Sequence, residues 1–137
     1  MISRRDIKRG YENGELFIAR KLELRKNVVH IARGYNPEFD LEVFTPHHTR
    51  WLAEVKYDER ARETGNVAIE HDTLNHTRSI IWFHVLSKSE AYVCELEKLK
   101  EFALAFPVQK PIGEHGETGS CIPLPTFQSL PFVKRFI

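Results

Sequence analysis

Trp51-Leu52-Ala53-Glu54-Val55-Lys56 is the stretch on which the reading of this chain turns. Leu52, Glu54 and Lys56 alternate with Trp51, Ala53 and Val55. A strand sends successive side chains to opposite faces, so the alternation predicts a strand with Glu54 and Lys56 side by side. Upstream, Glu38-Phe39-Asp40-Leu41-Glu42-Val43-Phe44 alternates in the same way. It predicts a second strand, with Phe39, Leu41 and Val43 on one face and Asp40, Glu42 and Phe44 on the other. Glu42 thereby becomes a candidate neighbour of Asp40. Between the two, Thr45-Pro46-His47-His48-Thr49-Arg50 reads as a hairpin connection. Its paired histidines invite a zinc reading, but no cysteine or further histidine stands close by, and a polar turn is the simpler account.

An acid on one strand and Glu-x-Lys on the next make chemical sense together. Hard divalent cations such as magnesium take oxygen ligands, usually one or two carboxylates plus water and substrate phosphate. A cation held by Asp40 and Glu54 would neutralise phosphodiester charge and acidify a bound water. A lysine two residues after a ligand shares its face and can hold the attacking water or offset developing charge.

The pattern resembles the PD-(D/E)XK nuclease superfamily, which includes restriction enzymes, archaeal-type Holliday junction resolvases and phage recombination nucleases. The residues that carry the resemblance are Asp40 and Glu54-Val55-Lys56, over roughly residues 12–70. Pro37 stands three places before Asp40, where the family often has a proline directly before the acid. The resemblance implies a restriction endonuclease-like α/β core, a central mixed sheet flanked by helices, with magnesium or manganese as cofactor. It implies metal binding by Asp40 and Glu54 and catalysis by Lys56. In resolvase-like relatives a glutamate near the start of the first helix reaches toward the metal. Glu15 is the candidate here and Glu12 the second choice. The plain alternative is a surface glutamate favoured by the helix dipole. Some members place a further polar or acidic group on the next strand, which points to Glu70 and, more weakly, Asn66, against the alternative of a solvent-facing strand edge.

The surrounding chain supplies the frame. Leu16, Ile18, Ala19 and Leu22 predict an amphipathic helix from Tyr11 to near Asn27. Val28-Val29-His30-Ile31-Ala32 predicts a buried strand, and residues 33–37 a turn. Residues 57–66 are too polar for a core element and read as a loop; residues 66–70 alternate as a strand. Residues 71–79 read as a loop or short broken helix, with His71 and His76 as solvated side chains rather than metal ligands. Ile80-Ile81-Trp82-Phe83-His84-Val85-Leu86 predicts a central strand buried on both faces. A turn at 87–90 and a strand at 91–94 complete a hairpin. Leu96, Leu99, Phe102, Ala103 and Phe106 form one stripe of a helix that Pro107 ends. Beyond it, the Gly- and Pro-rich residues 110–120 read as a loop without the ending of a P-loop. Cys121-Ile122-Pro123-Leu124-Pro125 reads as extended, and the aromatic-rich end as a cover for the core or a dimer partner.

At 137 residues the chain predicts one domain, with a core over about 11–106 and a C-terminal extension over 107–137. A net charge of +1 excludes a bulk polycation, so nucleic-acid contact has to come from local patches. Candidates are Arg4, Arg5, Lys8 and Arg9, whose alternative is a solvated terminus, together with Arg60, Arg62 and Arg78. Cys94 and Cys121 are expected to be reduced. No apolar run has membrane-spanning length and no signal peptide is recognised, which makes a cytoplasmic location the default. The expectation is a metal-dependent DNA endonuclease, structure-selective like a junction resolvase and a candidate homodimer. The alternative is a non-catalytic DNA-binding or protein-interaction module on the same scaffold.

Overall fold

Two short helices, α1 (Arg4–Asn13) and α2 (Glu15–Glu23), open the computed structural model, which describes residues 4–34, 36, 38–112 and 116–137, with Arg4, Arg5 and Asp6 as backbone only. One continuous helix was expected from Tyr11. The break is at Gly14, whose N–H still donates to the Gly10 carbonyl at 2.8 Å. A Cβ on Gly14 would stand 2.6 Å from that carbonyl and 3.4 Å from Cβ of Tyr57, so only glycine lets this joint close. The elements that follow are β1 (Val28–Ile31), β2 (Leu41–Phe44), β3 (Arg50–Tyr57), α3 (Ala61–Thr64), β4 (Asn66–Glu70), α4 (His71–His76), β5 (Ile81–Ser87) and β6 (Glu90–Glu95). Then come α5 (Leu96–Ala105), β7 (Gln109–Ile112), β8 (Glu117–Pro123), α6 (Leu124–Ser129) and β9 (Lys134–Arg135).

The architecture is mixed α/β. Six strands form one sheet in the order β1-β2-β3-β5-β6-β9, and β4-β8-β7 form a second, three-stranded sheet. β1, β2 and β3 run antiparallel, whereas β3 and β5 are parallel, with Glu54 beside Trp82 and Lys56 beside His84. Parallel neighbours need a crossover. Residues 58–80 form it, carrying α3, β4 and α4.

Several expectations are corrected. β4 was expected in a single sheet with the other strands; as part of the crossover it leaves that sheet and pairs with β8 instead. Residues 57–66 contain the short helix α3, whose Ala61 is fully buried and whose end is set by the left-handed Gly65. β1 was expected to be buried but is the edge of its sheet, with Val28 57% exposed. The Gly- and Pro-rich residues expected as a loop form β7 and β8 on either side of residues 113–115. Pro111 is tolerated because β7 is an edge strand. Gly119 is required because Ile112 lies where its Cβ would be. The proposed C-terminal extension therefore supplies β8 to pair with β4 and β9 to pair with β6.

The two faces of the large sheet carry separate cores. On one, Ile18, Ala19 and Leu22 of α2 meet Leu41, Val43, Ala53, Val55 and Phe83. On the other, Trp82 and Cys94 meet Val67 and Ile69 of β4, Leu99 of α5, Ile122 of β8 and Phe127 of α6. The alternation in β3 thus sends Ala53 and Val55 toward α2 and Glu54 to the opposite face. Both cysteines are free thiols, and burial pushes Cys94 up to about 12. Among the described residues no helix is long and apolar enough to cross a membrane.

Candidate active site

Glu15, Asp40, Glu54, Lys56 and Glu70 all line one cleft of about 310 Å³. They come from the first residue of α2, the approach to β2, the middle of β3 and the last residue of β4. Asp40 is fixed by its backbone: its N–H donates to the Ala53 carbonyl and its carbonyl accepts from the Ala32 N–H, both at 2.9 Å. It lies just before β2, because the expected strand starts at Leu41 rather than Glu38. Register pairs Leu41 with Ala53, and beyond that point the Val55 N–H donates to Asp40 Oδ2 at 2.8 Å. The carboxylate therefore completes the ladder where the neighbouring strand gives out.

Glu54 is only 6% exposed, and its Oε1 accepts from the Thr77 hydroxyl at 2.6 Å. Burial and the charge of Asp40 push Glu54 up to about 8; its hydrogen bond to Asp40 and the charge of Glu15 add to the rise. Asp40 is raised by burial, against the opposing hydrogen bonds from Val55 and Glu54. Burial and the charge of Asp40 push Glu15 up to about 7. Three acids thus crowd a partly dehydrated space in which like charges cannot all ionise.

Lys56 Nζ lies 3.5 Å from Glu70 Oε1, so this ion pair sits inside the cleft rather than drawing the lysine away from it. Behind the pair runs a buried chain. Trp82 Nε1–H donates to His84 Nδ1 at 3.2 Å, so His84 carries its hydrogen on Nε2 and donates it to Asp58 Oδ2 at 2.9 Å. The same oxygen accepts the Ala68 N–H of β4 at 3.2 Å. Burial opposes the ionisation of Asp58, but the hydrogen bonds and charge at its oxygens outweigh it and hold its carboxyl below the ordinary value. Burial lowers His84, against the pull of Asp58. The chain ties β4, and with it Glu70, to the large sheet.

The remaining candidates lie elsewhere. Glu42 pairs with Arg50 and His30, outside the cleft. Glu12 is exposed and 3.9 Å from Lys8. Asn66 lines an adjoining groove of about 610 Å³ that shares Lys56 and Glu70 with the cleft and also holds Arg60 and Lys110. Among the basic candidates, Arg9 pairs with Glu59 at 3.4 Å, Arg60 with Glu63 at 3.8 Å and Arg78 with Glu38 at 3.6 Å. Arg62 forms a two-pronged pair with Glu90, which is 7% exposed and also accepts from the Tyr92 hydroxyl. Arg4 and Arg5 belong to α1, and their side chains lie outside the described residues. His47 and His48 occupy the turn between β2 and β3.

Residues 71–79, read from the sequence as a loop or short broken helix along a DNA groove with no catalytic or metal role, place Asp72, Thr73 and His76 of α4 in the cleft and Thr77 against Glu54. The signal was present: Asp72 and His76 are four apart around the buried Leu74, a helical spacing.

Among the described residues no set of three or more His, Cys, Asp or Glu side chains is arranged to hold a metal ion. Magnesium needs fewer protein ligands than that, and two carboxylates in hydrogen-bond contact are hard oxygen donors of the right kind. Asp40 and Glu54 therefore fit such a cation. In comparisons with protein-family models, curated proteins and solved structures, nothing matched this chain.

Proposed function

We propose that this chain is a metal-dependent DNA endonuclease with a restriction endonuclease-like core, selective for DNA structure in the manner of a junction resolvase. One observation carries the reading: Asp40, Glu54 and Lys56 of the acid, Glu-x-Lys pattern line a single cleft with Glu15 and Glu70, the two further acids that the family resemblance suggests. Asp40 and Glu54 hold magnesium or manganese, and Glu15 and Glu70 assist. The cation supplies charge neutralisation and a more acidic water. Lys56 orients the attacking water and meets charge developing on the phosphate, while Glu70 sets the position of its ammonium. Arg60 and Lys110, in the groove that continues the cleft, meet the DNA backbone. The surface pairs of Lys8, Arg9 and Arg78 are weak enough to be exchanged for phosphates. A cytoplasmic location and a homodimer belong to this reading.

A second reading, a non-catalytic DNA-binding or protein-interaction module, is favoured by the Lys56–Glu70 pair, which offsets part of the ammonium's charge. Cleavage assays on duplex, single-stranded, forked and four-way DNA, with magnesium, manganese or chelator, separate the two. The endonuclease reading expects cation-dependent cutting that Lys56→Ala reduces about 100-fold or more while DNA binding is retained. Binding without cutting under every condition would establish the module instead.

A further inference from the structure

One wall of the cleft has no part in the chemistry described so far. α4 places Asp72, Thr73 and His76 there. His76 Nδ1 lies 2.8 Å from the backbone oxygen of Asp72 and 3.2 Å from its carboxylate. Both are acceptors, so Nδ1 carries the hydrogen. Nε2 is then the ring nitrogen without a protein partner among the described residues. An imidazole whose Nδ1–H is held by a backbone oxygen, with a carboxylate beside it, has its orientation set and its other nitrogen ready to exchange a proton.

Hydrolysis of a phosphodiester needs a donor of that kind. The departing ester oxygen carries away negative charge and is a strong base until it is protonated. The other donors in the cleft have other tasks or are weak. Lys56, beside Glu70, serves the attacking water and the phosphate, the protonated carboxyls of Glu15 and Glu54 stand against Asp40, and the indole N–H of Trp82 is taken by His84. Thr73 and Asn36 are neutral and too weakly acidic.

Resting on the nuclease reading, we infer that His76 is the general acid of the reaction, with Asp72 as its positioning residue. The water oxygen forms the new bond to phosphorus with its lone pair and releases one proton to a cleft carboxylate. The bond from phosphorus to the leaving oxygen breaks. Its electron pair stays on that oxygen, which takes the Nε2 proton of the imidazolium. The products are a phosphomonoester and an alcohol, and the neutral imidazole regains a proton through solvent from the carboxylate that accepted one.

The decisive experiment changes the leaving atom. The full chain, with manganese, is given the oligonucleotide it cuts in three forms: all-oxygen, or with one sulfur replacing the 3′ or the 5′ bridging oxygen at the cut site. A thiolate is far less basic than an alkoxide and departs without protonation. His76→Gln is expected to slow cutting of the all-oxygen substrate about 100-fold and to cut one sulfur substrate at nearly the wild-type rate. Asp72→Asn is expected to show a smaller loss with the same rescue. Both residues are exposed, so unchanged melting curves are expected to accompany these effects. Equal losses on all three substrates, or no loss on the all-oxygen one, would overturn the role of His76 while leaving the nuclease intact. Failure of the wild-type chain to cut any form with either metal would overturn the nuclease reading itself, and the general acid with it.

Discussion

At pH 7 the carboxyl group of Glu54 still holds a proton, because burial and the charges of Asp40 and Glu15 push it up to about 8. A cation that binds through its oxygen has to displace that proton. Manganese or magnesium affinity is therefore expected to rise with pH up to about 8, by as much as about tenfold per pH unit. Calorimetry in two buffers of different ionisation enthalpy would reveal the released proton; affinity independent of pH between 6 and 8 would contradict this. Stability follows with a definite sign. Glu54 and Glu15 are protonated in the folded chain at pH values where the unfolded chain has already ionised them. The folded state then binds more protons, so without metal the protein loses stability as pH rises from about 4.5 toward 8. Glu54→Gln removes the ionisation and is expected to stabilise the metal-free protein at pH 8 by about 1–2 kcal/mol in urea titrations. At this scale the shared face of Glu54 and Lys56 was legible, since alternation in a strand is a two-residue rule, whereas Glu15 and Glu70 were reached only through the family resemblance. His76 and Thr77 were not legible: their importance depends on which wall α4 approaches, and no local spacing encodes that.

Helices and strands hold these side chains in place, and two joints matter most. The first is Gly14. A methyl group there meets the Gly10 carbonyl at 2.6 Å, so Gly14→Ala must move α1 or the start of α2, where Glu15 sits. It is expected to cost about 1–3 kcal/mol and to lower cation affinity more than an alanine at the half-buried Gly10, whose Cβ would meet nothing within contact distance. Equal affinities for the two variants would refute the link between this joint and Glu15. The second joint is the buried chain through Asp58. Asp58→Ala leaves the His84 Nε2–H and the Ala68 N–H without an acceptor, a loss of about 1–3 kcal/mol for each group. Amide exchange measured by mass spectrometry should accelerate in β4 before it does in β2; unchanged protection of β4 would show that the two sheets are joined by apolar packing alone. Helices α2 and α5 and the central strands were readable because their periodicity is strong, whereas α1, α3 and α6 were not read as helices. The Gly- and Pro-rich strands β7 and β8 were not readable, because their composition matches a loop. Pro111 and Gly119 fit only through an edge position and a close side-chain approach, both of which are tertiary facts.

For the molecule as a whole, the last thirty or so residues, read from the sequence as a C-terminal extension whose aromatic end covers the core or a dimer partner, carry strands of both sheets. In the structure β8 is the ladder partner of β4, β9 extends the large sheet beside β6, and Phe136 packs edge-on against Phe83. A chain ending after Ala105 is therefore expected to lose cooperative unfolding altogether rather than merely to shift its midpoint. Circular dichroism during a thermal scan would show it, and a sharp transition in the shortened chain would show that residues 4–105 fold without β8 and β9.

β4 ends at Glu70, but the strand that holds it, Glu117–Pro123, is made only after β5, β6, α5 and β7. Synthesis proceeds from the N-terminus at about 5–20 residues per second. During that interval Asp40, Glu54 and Lys56 have already emerged, while the strand bearing Glu70 still has an open edge. The cleft is thus finished by a strand made well after its other walls, so a growing chain cannot present a complete site until Glu117–Pro123 has emerged.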